Sequence, residues 1–176
     1  MKETMIRYGL VLSIICAAAT ASLAIMNSLT QGRIIAQAKA EEEASFKEVM
    51  PEGVNFEAVK SADEIAYYKV YDKDKKFIGA VFKASGKGYS STIETVAGIK
   101  KNGEITAIKV VNQNETPGLG TRVTEKSFTG QFADKTTENI QKVDSITGAT
   151  ISSKAVISSV AQKSAEIKEL IKNEPR

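Results

Sequence analysis

The chain has 176 residues, 42% of them hydrophobic and 26% charged, enough for one globular domain of ordinary size plus an appendage. Its net charge of +3 is spread over Lys interleaved with Glu and Asp, with no basic block, which argues against nucleic acid as a partner. With no His, no Trp and one Cys, it excludes His-based triads, imidazole acid–base chemistry, the commonest zinc constellations and an intrachain disulfide.

Residues 8–26 read YGLVLSIICAAATASLAIM, uncharged, behind Lys2 and Arg7. At about 1.5 Å per residue, such a run crosses a hydrocarbon core of roughly 30 Å, which predicts a transmembrane anchor in the lipid bilayer. The short basic tail, residues 1–7, ahead of a long polar domain favours a cytoplasmic N-terminus and an extracytoplasmic domain. Arg33 and Lys39 follow the span and weaken that asymmetry. Ala19-Thr20-Ala21 is an alternative signal-peptide cleavage site, against which the apolar run continues through Leu23, Ala24, Ile25 and Met26. Cys16 follows Ile15, where a lipoprotein site has a small residue, and reads as an apolar side chain facing lipid or another helix.

Residues 27–50 are rich in Ala, Gln, Lys and Glu and predict a juxtamembrane helix, which Pro51-Glu52-Gly53 ends. A domain over residues 51–176 follows. Residues 66–71 and 77–82 alternate as strands around a polar turn, residues 72–75. Residues 92–99 and 104–111 flank Asn102-Gly103, a strong hairpin signal. Residues 126–132 read as a short helical or irregular link. From Ser152 onward, Val156, Val160, Ile167 and Ile171 recur at near-helical spacing, so a C-terminal helix packs against the sheet. The expected class is α+β: an antiparallel sheet flanked by helices.

Two loops carry the chemistry. Asn114-Glu115-Thr116-Pro117-Gly118-Leu119-Gly120 combines a Pro with two Gly, so its backbone is sharply shaped and approaches a flat ligand closely. Asp144-Ser145-Ile146-Thr147-Gly148-Ala149-Thr150 runs into the C-terminal helix, where free N–H groups and the helix dipole suit a phosphate.

The order of an N-terminal apolar span, Gly88-Tyr89, a hairpin, Glu115-Thr-Pro-Gly-Leu-Gly120, Gln131-Phe132 and Asp144-x-x-Thr-Gly-Ala-Thr150 resembles the flavin-bearing G subunits of Rnf complexes, membrane-bound ion-translocating ferredoxin:NAD+ oxidoreductases. The related C subunits of sodium-pumping NADH:quinone oxidoreductases share the flavin domain. The resemblance implies an electron carrier with FMN attached covalently, through its phosphate, to Thr150 by a flavin transferase. It also implies that Asp144 and Thr147 are recognised by that transferase, and that Gly148 and Ala149 keep the acceptor open. Ser152 and Ser153 would donate hydrogen bonds to the phosphate. Thr116 and Leu119, with Gly118 and Gly120, would wall the isoalloxazine ring, Glu115 would be a polar partner, and Tyr89 a weaker contact. The implied partners are the other Rnf membrane subunits, including a second flavin-bearing one. The chain departs from the usual pattern at residues 112–114, where a His often precedes the Glu-Thr-Pro motif, and at Ser152, where a Thr is common. No catalytic acid, base, nucleophile or metal ligand is expected. Three alternatives stay open: a subunit of the related sodium-pumping NADH:quinone oxidoreductase, a free-standing extracytoplasmic flavin carrier, and an anchored sensor that binds a phosphorylated ligand without a covalent bond.

Overall fold

The computed structural model describes residues 2–61 and 64–172; Met1, Ala62, Asp63 and residues 173–176, which the expected tail and domain boundaries include, lie outside the described residues. The chain divides into two compact units, Met1–Glu42 and Glu43–Arg176.

The first unit is helical. Helix α1 (Lys2–Val49) contains no Pro or helix-breaking pair and is long and apolar enough to cross a membrane, with mean hydropathy 2.2 over an 18-residue window. The hydroxyls of Ser13, Thr20 and Ser22 fold back onto the carbonyls of Gly9, Cys16 and Ala18 at 2.8–2.9 Å, so they present no unsatisfied donor to an apolar surrounding. Leu10, Ile14, Ile15, Leu23 and Ile25 are all exposed, unlike the buried stripe of a helix lying on a soluble core.

The second unit begins before residue 51, the boundary expected from Pro51. Phe46, Val49 and Met50, at the end of α1 and just beyond it, are buried with Val70, Val81 and Val96 in a cluster on one face of the sheet. That face would otherwise be open to water, so the last turns of α1 belong to the domain.

The sheet is an antiparallel meander, β1 (Asn55–Ser61), β2 (Glu64–Tyr71), β3 (Phe77–Lys87), β4 (Thr92–Lys100) and β5 (Ile105–Asn112), in sequence order. At the β2–β3 turn, Asp72 Oδ1 accepts from Asp74 N and Lys76 N, both at 2.9 Å. At the β4–β5 turn, Gly103 takes φ +89° and its N–H donates to Lys100 O at 2.9 Å. Strand β1 has no counterpart among the expected elements; it is an edge strand paired only with β2, and its Glu57 and Lys60 dilute the apolar alternation.

The other face carries the main core. Helix α3 (Thr150–Lys172) packs on β3 and β4, burying Val156, Val160, Ile167 and Ile171 completely against Phe82, Ile93 and Ile99. Between β5 and α3 the chain makes 3-10 turns at Gly120–Thr124, Gly130–Phe132 and Ile140–Lys142, and a short helix α2 (Lys126–Thr129). Val123, Phe128, Phe132, Ile140 and Val143 pin this segment to the core, the two Phe rings meeting edge to face at 5.4 Å. The α+β class holds.

Candidate functional site

Two turns of the same design shape the site. In residues 116–119, Leu119 N donates to Thr116 O at 3.2 Å, with Pro117 second and Gly118 third at φ +74°. In residues 146–149, Ala149 N donates to Ile146 O at 2.9 Å, with Gly148 third at φ +83°. A type II turn requires positive φ at that third position, which Gly adopts without strain. The second turn delivers the chain into α3, whose first intrahelical bond runs from Ser153 N to Ala149 O at 2.9 Å. The N–H groups of Thr150, Ile151 and Ser152 precede it and gather at the positive end of the helix dipole.

A cavity of about 420 Å³ lies between these turns, lined by Tyr89, Glu115, Thr116, Leu119, Gly120, Gly148, Ala149, Thr150, Ile151 and Ser152. This is the size of an ordinary small-molecule site. Thr150 is exposed at the first position of α3, with Gly148 and buried Ala149 before it, so its hydroxyl is sterically open. Leu119 and Ile151 are half exposed and offer apolar walls. No Lys or Arg is among the lining residues, so backbone N–H groups are what the cavity offers an anion.

Glu115 is the one ionisable carboxyl in the lining, and it is only 4% exposed. Its Oε1 accepts from Ser90 N at 3.0 Å, Ser91 N at 2.8 Å and Ser91 Oγ at 3.1 Å; its Oε2 accepts from Tyr89 N at 3.1 Å and Ser152 Oγ at 2.6 Å. Burial pushes its pKa up, but the hydrogen bonds from Ser152, Ser91 and Ser90 outweigh burial and hold it at about 2, against 4.5 ordinarily. Space for the carboxylate depends on two glycines: a Cβ on Gly88 would sit 2.6 Å from Oε1, and one on Gly120 2.8 Å from Oε2.

The structure brings Tyr89, Glu115, Thr116, Leu119, Gly120, Gly148, Ala149, Thr150 and Ser152 to one cavity, nine of the residues singled out in the sequence. Gly118, Asp144 and Thr147 are exposed outside the lining. Asp144 N donates to Gln131 Oε1 at 3.0 Å, which ties two separate motif segments together. Two expectations need correction. Ser152 and Ser153 do not present side-chain donors to a phosphate in the cavity: Ser152 Oγ donates to Glu115, while Ser153 is fully buried outside the lining, its Oγ accepting from Ile146 N at 3.0 Å. Nor is Glu115 a free polar partner for a ring, since both its oxygens are bound by the chain's own donors. Ile151 is a wall that the sequence motifs do not single out; the signal for it is its position beside Thr150 on the solvent side of a helix whose buried stripe begins at Ser152.

Comparison with known proteins adds the family. The FMN-binding domain model matches residues 88–163, and the RnfG N-terminal region model matches residues 1–49. The G subunit of the ion-translocating oxidoreductase complex of Methanosarcina acetivorans is 36% identical over 159 residues, covering 82% of this chain and 84% of that protein. The G subunit of the Na+-translocating ferredoxin:NAD+ oxidoreductase complex of Acetobacterium woodii is 33% identical, over 90% of this chain and 89% of its own. The crystal structure of the C subunit of the Na+-translocating NADH-quinone reductase of Parabacteroides distasonis superposes with a TM-score of 0.50 at 19% identity, covering 62% of this chain and 63% of that one, a likeness of fold. With its apolar N-terminal helix, its five-stranded domain and relatives aligned over most of their length, the chain belongs to the RnfG family, the G subunits of ion-translocating Rnf oxidoreductase complexes.

Proposed function

We propose that this chain is the electron-transfer subunit of a membrane-bound ion-translocating ferredoxin:NAD+ oxidoreductase, carrying one FMN tethered through its phosphate to Thr150 Oγ1. The observation that carries the reading is the exposed Thr150 hydroxyl at the start of α3, on the wall of a cavity with apolar sides and no basic side chain. The cavity suits the group: free N–H groups of Thr150, Ile151 and Ser152 answer a phosphodiester charge, and Leu119, Ile151 and Tyr89 offer surfaces to a flat ring system. A Cβ on Gly148 would approach Leu119 Cδ2 to 3.4 Å, so glycine keeps this part of the cavity wide. Bound FMN supplies electron-transfer chemistry that no side chain here provides. The protein's part is to hold it, shield it and set the charge around it.

The exposed Asp144 and Thr147 are accessible to a flavin transferase, in keeping with recognition by another protein. The remaining partners in this reading are the other membrane subunits of the complex, one of them bearing a second flavin. Lys2 and Arg7 ahead of the apolar span favour the flavin domain on the extracytoplasmic side of a single-pass anchor. The decisive test is intact mass and in-gel fluorescence of the full chain made with a flavin transferase. The wild type gains the mass of FMN and a fluorescent band that survives denaturation, and Thr150→Ala gains neither. Flavin that leaves on denaturation would point to non-covalent capture instead.

A further inference from the structure

Three consecutive backbone donors, Tyr89 N, Ser90 N and Ser91 N, converge on Glu115 from a turn 24 to 26 residues earlier in the chain. Successive N–H groups aimed at one point form a concavity that binds anions, and here the anion is internal. Apart from its bonds to Glu115, the turn is held by Gly88 N donating to Ser91 O at 2.8 Å and Asn114 N donating to Ser91 Oγ at 2.8 Å, while Tyr89 is 72% exposed. The carboxylate also reaches forward to Ser152 on α3 at 2.6 Å. It thereby joins three segments that share no strand pairing at this point, and glycines at 88 and 120 leave room for it and nothing larger.

We infer that Glu115 is a positioning residue: a buried carboxylate clasp that fixes the turn of residues 88–91, and with it Tyr89, as a wall of the cavity, while placing a fixed negative charge beside whatever binds there. Removing the carboxylate takes the shared acceptor from five donors at once, a loss larger than any single bond contributes. A negative charge in a desolvated wall also disfavours added electron density on a neighbouring cofactor. This second effect rests on the flavin reading of the cavity; the first does not.

Amide hydrogen exchange on the full chain in detergent tests the clasp. Glu115→Gln is expected to raise exchange at Tyr89, Ser90 and Ser91 by about tenfold or more, the loss of at least one hydrogen bond's protection, while β4 and α3 stay protected. Ser152→Ala, which deletes one bond and no charge, leaves those three amides much closer to wild type. Unchanged exchange at residues 89–91 in Glu115→Gln overturns the clasp. Should that variant not accumulate, Glu115→Asp withdraws the carboxylate by one methylene and decides the same question. On chains loaded by a flavin transferase, redox titration should place Glu115→Gln at a more positive midpoint than wild type, by about 30 mV or more, a tenfold change for a two-electron couple. Equal midpoints for Glu115→Gln and wild type overturn the electrostatic part. A wild type that takes up no flavin overturns the proposed cofactor, and the exchange result still decides the clasp.

Discussion

Gly86 on β3 and Ala155 on α3 meet backbone to backbone: a methyl group at Gly86 would run into the Ala155 carbonyl, whose carbon lies 2.8 Å from where that methyl would sit. The first turns of α3 are therefore seated directly on the strand, and the height of Thr150 above the sheet is set by a missing side chain.

Gly86→Ala should push the start of α3 away and cost about 1–3 kcal/mol, the usual penalty of overpacking. Urea unfolding of the domain measures it. Stability equal to wild type would mean that the helix is free to slide, contrary to the close approach of the two backbones. The same variant should slow flavin attachment, because the cavity is lined by Thr150, Ile151 and Ser152 in the turn of α3 just before Ala155.

Thr150→Ser should keep partial flavin attachment, since the oxygen survives, whereas Thr150→Ala should abolish it with little change in folding, the residue being exposed. Asp144→Ala leaves the acceptor intact and should slow attachment through poorer recognition. Time courses of intact mass separate these cases, and equal labelling of Asp144→Ala and wild type would remove Asp144 from the working motif.

The domain should fold when cut at the natural edge of its compact unit and fail when cut at Pro51. A chain starting at Glu43 keeps Phe46, Val49 and Met50 over Val70, Val81 and Val96; a chain starting at Pro51 exposes that apolar face. Size-exclusion profiles and urea midpoints compare the two, and equal solubility and stability would show that the end of α1 is dispensable. In the full chain, protease added to intact spheroplasts should digest the domain; protection until lysis would put it on the cytoplasmic side.

Acid should weaken this fragment through Glu115. Its carboxyl is held at about 2 in the folded state against 4.5 for the ordinary group, so in that window the unfolded chain binds more protons. The stabilisation, about 3 kcal/mol at most, is complete above roughly pH 4.5 and is lost as pH falls through the folded value. Urea titrations at about pH 6 and pH 3 should show the gap between wild type and Glu115→Gln closing by more than half. A gap that is the same at both pH values would mean that the carboxylate is not held as described.

The hairpins are legible in the sequence because alternation and turn chemistry agree: Asn102-Gly103 lies between apolar runs, and Gly103, though not Asn102, takes the left-handed backbone. The paired cavity turns are legible for the same local reason, Pro117-Gly118 and Gly148 each demanding one shape. Strand β1 is hidden because an edge strand needs only half an apolar pattern. The covering role of Phe46, Val49 and Met50 is hidden in a segment rich in Glu and Lys that reads as a juxtamembrane helix. The destination of Glu115 is hidden more deeply, since its partners stand 24 to 37 residues away and only tertiary closure brings them together. For the same reason the hydroxyl of Ser152 faces a carboxylate and not a ligand.

The walls of the cavity come from the turn before β4, the loop after β5 and the first turn of α3, and no contiguous stretch of chain contains them. Undocking α3 would remove the Thr150, Ile151 and Ser152 wall and the Ser152 bond to Glu115 together, leaving no cavity. Anything that recognises the assembled cavity therefore recognises only a chain whose C-terminal helix is seated.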